Sequence, residues 1–134
     1  MKYFLDTNIC AYIINCKFKH LNGRFIKCAK DELKISSVVL FELLYGAEKS
    51  QRREINLAEI NKLINGLEIV TFDAQAAEIA GKIRADLERA GKVIGINDIM
   101  IAATALAHGG IIITNNSREF SRVEELSIED WSAM

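Results

Sequence analysis

Four carboxylates stand at widely separated points of the chain: Asp6 in LDTNIC, Glu42 in FELLYGA, Asp98 in GINDIM and Glu119 in NSREF. Asp6, Asp98 and Glu119 fall where an apolar element ends or a helix begins, and Glu42 lies on a helix that leaves a strand. Acids brought together at one rim repel one another, so one must keep its proton or a cation must sit among them. No histidine stands near these acids in sequence, and Cys10 in LDTNIC has no partner cysteine at metal-binding spacing. Hard oxygen donors alone suit Mg²⁺ or Mn²⁺ and not zinc. A site of that type polarises a phosphate and lowers the pKa of a bound water, and the implied chemistry is metal-assisted phosphodiester hydrolysis.

Each acid also has a plainer reading. Asp6 and Asp98 could be helix N-caps, accepting hydrogen bonds from free N–H groups. Glu42 lies off the apolar stripe of its helix and could be an ordinary exposed glutamate. Glu119 could favour a helix N-terminus or pair with Arg118 or Arg122, an interaction worth little when exposed.

Convergence depends on the elements that carry these acids. Short apolar runs alternate with longer stretches of helical period, the pattern of an α/β domain with a mainly parallel sheet. Strands are expected at Lys2–Leu5, Lys34–Ser36, Glu68–Phe72 and Ile111–Thr114, with a short edge strand near Leu126–Ile128. Helices are expected from about Asn8 to Asn15, Asn22 to Ala29, after a Ser37 cap through Ala47, and Ile55 to Asn65 with Gly66 as a stop. Asp73 should cap a long helix ended by Gly91, in which Ala76, Ile79, Ala80, Ile83 and Leu87 share a face. Asn97 or Asp98 then starts IMIAATALAH, apolar nearly all round and so expected between layers. In open α/β sheets ligands bind beyond the carboxyl ends of the strands. Asp6, Glu42, Asp98 and the Asn115–Glu119 turn are all expected at that edge.

Composition narrows the class. The chain has 134 residues, half of them apolar and 26% charged, with no proline. One domain spanning residues 1–134 follows, with enough chain for a single core. The formal net charge of −1 is a poor footprint for a nonspecific DNA binder, although local basic groups can still face a nucleic-acid backbone. Cys10, Cys16 and Cys28 are odd in number and lack CxxC spacing, so neither a disulfide framework nor a zinc site is indicated. His20 and His108 are isolated. No stretch approaches the roughly 20 apolar residues that span a bilayer, and no signal-like leader is visible. A cytoplasmic protein without membrane contact is expected.

Taken in order, LDTNIC, ISSVVLFELLYGAEKS, IGINDIMIAATALAHGG and TNNSREFSRV, with IEDW near the end, resemble the PIN-domain ribonucleases. More narrowly, they resemble the VapC toxins of VapB–VapC toxin–antitoxin pairs, over almost the whole chain. The resemblance implies a three-layer α/β/α fold around a sheet of four or five strands. It implies Mg²⁺-dependent cleavage of RNA, with Mn²⁺ able to substitute, leaving a 5′-phosphate and a 3′-hydroxyl. Asp6 and Asp98 match the principal metal-binding acids, and Glu42 matches the third. For the fourth position the TNN turn offers Asn116 and Glu119. Glu119 is favoured as the carboxylate and Asn116 as an orienting group, with the number of metals left open. Thr7, Asn8 and Ser37 are candidates to brace the carboxylates through outer hydrogen bonds, or are plain helix caps.

The resemblance further implies a structured RNA substrate cut at an exposed single-stranded place. That RNA is expected to be a tRNA, with the anticodon region of initiator tRNA favoured. Lys49, Arg52 and Arg53 in KSQRR are the candidate RNA-facing groups, a solvated helix end being the alternative. It implies a VapB-type antitoxin whose Arg would reach the carboxylates, a homodimer, and contact with operator DNA only through the antitoxin. Apolar residues on the helices at 21–29 and 38–47 are candidates for these contacts. Two rival enzyme folds are poor matches. A haloacid-dehalogenase-type phosphatase needs a second Asp where Asn8 stands, and a receiver domain needs a Lys where Thr114-Asn115 stands. A DNA nuclease of the same fold and a non-catalytic binding module remain as alternatives.

Overall fold

The computed structural model describes residues 1–133. Five short strands alternate with helices: β1 (Tyr3–Leu5), α1 (Thr7–Ile14), α2 (Lys19–Lys27), β2 (Leu33–Ser36), α3 (Ser37–Glu48), α4 (Arg53–Ile64), β3 (Glu68–Val70), α5 (Ala74–Ala90), α6 (Ile96–Ala107), β4 (Ile111–Ile113), α7 (Ser117–Phe120) and β5 (Ser127–Glu129). A single 3-10 turn, Lys30–Glu32, precedes β2.

All strand pairs are parallel, in the order β3-β2-β1-β4-β5. Parallel strands need long crossovers, and these are right-handed. The chain moves from β1 to β2 to β3 in one direction, then returns past β1 to β4 and β5. The crossover helices α1 to α4 therefore cover one face and α5 and α6 the other. Contacts agree: α1 packs on α2, α3 and α4, whereas α5 packs on α6. This is the expected three-layer α/β/α architecture, with five strands.

Burial follows the sequence pattern. The four residues of β2 are all buried. Lys34 among them pairs with Glu68 and donates to the carbonyl of Asp31 at 3.0 Å. In α6, Ile99, Ile101, Ala102, Ala103, Thr104 and Ala105 are all buried, so this helix lies between α5 and the sheet. The tail after β5 is pinned against α2. Trp131 donates to Glu129 Oε1 at 2.9 Å, stacks edge-on to Tyr3 at 5.0 Å, and lies beneath the Arg24 guanidinium at 4.7 Å. The three cysteines are free. Among the described residues no helix is long and apolar enough to cross a membrane.

Several boundaries differ from expectation. Ser36, not Ser37, caps α3, its Oγ accepting from Val39 N at 3.1 Å. Helix α6 begins at Ile96 behind Gly95, so Asp98 lies inside the first turn and does not cap it. Helix α2 starts at Lys19, three residues before Asn22. Strand β3 stops at Val70, and the edge strand is displaced by one residue. In the serine case two adjacent hydroxyls compete for one cap, and the backbone geometry where β2 meets the helix selects the first.

Gly110 sits where the chain enters β4 against β1. A Cβ there would overlap the edge of the Phe4 ring and lie 3.1 Å from Lys2 O. Phe4 is fully buried and has no room to yield. Gly110→Ala is expected to cost about 1–3 kcal/mol through overpacking, read as a lower urea midpoint with an unchanged m-value.

Candidate active site

The strand order places a topological switch between β1 and β4, where the chain leaves in opposite directions. Crevices of this kind lie at the carboxyl edge of the sheet. Asp6 ends β1 there and Thr114 ends β4. Asp6 is buried, only 5% exposed. Its Oδ1 accepts from Thr7 N at 2.7 Å, and its Oδ2 accepts from Thr114 Oγ1 at 2.7 Å. It is thus the N-cap of α1 and an inward-facing carboxylate at once. Burial raises its pKa above the ordinary value and the charge of Glu42 adds to the rise, although both hydrogen bonds pull it down.

Glu42 projects from α3 into the same region. Its Oε1 accepts from Thr7 Oγ1 at 2.5 Å and its Oε2 from Asn97 Nδ2 at 3.2 Å. Thr7 therefore ties two carboxylates together, with its backbone on one and its hydroxyl on the other. Asn97 opens α6 beside Asp98. Residue Asp98 is half-buried, and its pKa is pushed up to about 6, first by burial and then by the charges of Asp6, Glu42 and Glu119. Glu119, in the first turn of α7, is half-buried as well. Among the described residues no ion pair involves any of the four acids.

The four acids thus share one electrostatic neighbourhood. They do not form a closed cage: among the described residues no three His, Cys, Asp or Glu side chains are gathered tightly enough to hold an ion by themselves. An open cluster of hard oxygens with uncompensated charge nevertheless fits Mg²⁺, which keeps several waters and takes few protein ligands. Asp6, Glu42, Asp98 and Glu119 are the residues that would hold it.

The other candidate residues divide. Thr7 braces both Asp6 and Glu42. Asn8 is exposed and points to no carboxylate by any hydrogen bond among the described residues. Ser37 Oγ accepts from Phe72 N at 3.0 Å, fastening the segment after β3 to α3. Asn116 is held by its backbone N, which donates to Thr114 Oγ1 at 2.9 Å. Lys49 follows the last residue of α3, Arg52 is the N-cap of α4, and Arg53 opens α4. Arg53 is engaged by Glu48 at 2.6 and 3.0 Å, and Lys49 lies 4.6 Å from the Tyr45 ring.

Two site residues escaped the sequence reading. Thr114 looked like the last residue of a strand, and Asn97 like a helix start. Their only sequence signal is adjacency, Thr114 to the NN turn and Asn97 to Asp98. What each hydrogen-bonds is decided by residues 108 and 55 positions away.

The crowding has a pH signature. Asp98 titrates near 6 in the folded chain against an ordinary value of 3.8. A carboxyl with a raised folded pKa stabilises the fold fully below its unfolded value, and that contribution is lost as pH rises through the folded one. In chelator, the urea midpoint is expected to fall as pH rises from about 4 to about 6. Asp98→Asn should flatten that fall, the raised Asp6 supplying what slope remains.

Comparison with known proteins places this geometry in a family. The PIN domain model matches residues 3–126. The tRNA(fMet)-specific endonuclease VapC of Shigella flexneri is 48% identical over 132 residues, covering 98% of this chain and 99% of that protein. The enzyme of the same description from Salmonella typhimurium is 45% identical over 131 residues, covering 98% of each. The crystal structure of DNA-bound VapBC from Salmonella typhimurium contains a chain that superposes with a TM-score of 0.92 at 45% identity, covering 98% of both. Likeness of this extent, with the same fold and with acids at one sheet edge, means that the chain belongs to the PIN-domain family and, within it, to the VapC group.

Proposed function

We propose that this chain is a metal-dependent endoribonuclease toxin that cuts tRNA, initiator tRNA in particular, and is neutralised by a VapB-type antitoxin. The observation that carries the reading is the clustering of four acids around Asp98, a half-buried carboxylate pushed up to about 6 first by burial and then by the charges of Asp6, Glu42 and Glu119, with no ion pair among the described residues to offset it. The substrate follows the printed activity of the Shigella and Salmonella relatives.

When bound, Mg²⁺ or Mn²⁺ would supply a polarised phosphate and a water acidic enough to attack it. The chain's own contribution is orientation. Thr7 and Thr114 fix the Asp6 oxygens, and Thr7 and Asn97 fix those of Glu42. Asp98 and Glu119 carry the charge that the hydrogen-bonded pair leaves uncompensated. As pH rises past about 6, Asp98 gives up its proton and the cluster gains its full affinity for a cation, since ligands must be deprotonated.

The antitoxin reading rests on the same charge and on an apolar stripe. A guanidinium matches paired carboxylate oxygens, and among the described residues no basic side chain pairs with these acids. Phe41 and Tyr45 on α3 are 59% and 57% exposed and stack at 6.5 Å, forming an apolar face with Leu40 and Leu44 for a partner helix. The expected homodimer would draw on apolar surface of the same kind.

Labelled initiator tRNA, elongator tRNA and single-stranded DNA, each with Mg²⁺, with Mn²⁺ and with chelator, test the reading. Initiator tRNA should be cut only with the metal. Asp6→Asn and Asp98→Asn should lose more activity than the roughly 10- to 100-fold expected for Asn97→Ala, an outer-shell loss. Mn²⁺ should raise the melting temperature of the wild type by mass action and barely move that of Asp98→Asn. Cleavage of DNA alone would make the chain a DNA nuclease of the same fold. Identical behaviour of wild type and variants in metal and chelator would leave a non-catalytic binding module. For the antitoxin, co-expression with the product of the adjacent reading frame should give a complex that Tyr45→Asp weakens without lowering the melting temperature.

A further inference from the structure

A nuclease centre built of carboxylates repels the backbone it must hold. A cation held by the acids would offset the phosphate at the reacting position, but not the phosphates on either side. Some group beside the rim has to receive at least one of them.

The loop after β4 offers such a place. Consecutive residues in extended chain point to opposite sides. Here Thr114 turns inward to Asp6, and Asn115 turns outward. Asn115 Nδ2 donates to the Tyr12 hydroxyl at 2.9 Å. Tyr12 lies in α1, which starts at the Asp6 cap. Helical side chains lean toward the N-terminus of their helix, so the phenol is carried back toward the rim. Its oxygen accepts from Asn115 and keeps its own proton free to donate. Lys17, just past α1, sets its Nζ 4.6 Å from the Tyr12 ring centroid and 5.5 Å from that of Phe18. The two rings meet edge to face at 5.3 Å. Lys17 is exposed and enters no ion pair among the described residues. The rings, not a carboxylate, fix its position, so its charge is left for a ligand from outside.

An ammonium, a free phenolic proton and an exposed amide side by side form a donor set for an acceptor-only oxyanion. We infer that Lys17, Tyr12 and Asn115 form a subsite that grips the RNA phosphate adjoining the scissile one. Lys17 supplies the charge, Tyr12 a directed hydrogen bond, and Asn115 links both to the loop that positions Asp6. The inference rests on the ribonuclease reading and adds to it a group that touches substrate but not the reacting atoms.

The test separates the two. Cleavage of initiator tRNA transcript is followed at several salt concentrations, with binding of the same transcript measured in chelator. Lys17→Ala should raise KM roughly tenfold, the loss of one charge-assisted contact, while kcat stays within about twofold. Loss of one phosphate contact to a single strand should reduce the slope of log affinity against log salt by about 0.7. Lys17→Arg should restore both values. Tyr12→Phe, which keeps the ring and its packing, should raise KM less and leave the salt slope alone. Lys2→Ala, at the opposite edge of the sheet, should change neither. If the wild type cuts RNA and Lys17→Ala shows the wild-type KM and salt slope, the subsite is overturned. If the wild type cuts no RNA with either metal, the ribonuclease reading falls. The subsite as defined falls with it, and weaker binding by Lys17→Ala in chelator would then mark only an RNA contact without a cutting site.

Discussion

The hydroxyl of Thr114 on the buried carboxylate of Asp6 is the contact on which the rim is built. It joins the two strands that flank the switch point, and it fixes where the first acid looks. Thr114 itself is buried, donating to Asp6 and accepting from Asn116 N. A carboxylate this deep would favour its neutral form without donors. Two donors lower that cost, but burial still leaves its pKa raised. The site therefore holds charge in a place that resists it.

That tension is distributed unevenly. Asp6 and Glu42 are fastened by Thr7, Thr114 and Asn97, whereas Asp98 takes the electrostatic penalty. Rigid acids supply geometry, and strained charge supplies the free energy that a cation or a guanidinium would relieve. In the proposed function a metal and an antitoxin Arg compete for the same deficit. One physical feature would then serve both activity and its inhibition.

The surroundings of the rim are asymmetric. On the α3 side the accessible groups are aromatic and aliphatic, with Phe41 and Tyr45 exposed. On the α1 and β4 side they are polar and cationic, with Asn115, Tyr12 and Lys17. Apolar surface suits a folded partner helix, and donors beside aromatic rings suit a nucleic-acid strand. The two sides are thereby suited to different visitors.

Periodicity made most elements legible before any coordinates. Ile111–Ile113 as a strand, the apolar α6 and the Asp73 cap with its Gly91 stop all follow from local pattern, because burial and capping act over a few residues. Three acids at element ends and one on a helix leaving the sheet, in the order of a known family, pointed to the edge where they meet. The positions of Thr114 and Asn97 in the site did not follow, nor did the choice of Ser36 over Ser37 as cap. Nor could the sequence tell that Tyr12 would join Lys17 to Asn115. Those outcomes depend on parallel pairing of β1 with β4 and on the crossing of α3 by α6, contacts between residues dozens of positions apart. A hydrogen bond has a range of about 3 Å and no memory of chain distance. The residue types were therefore written in the sequence, while their partners were settled by packing.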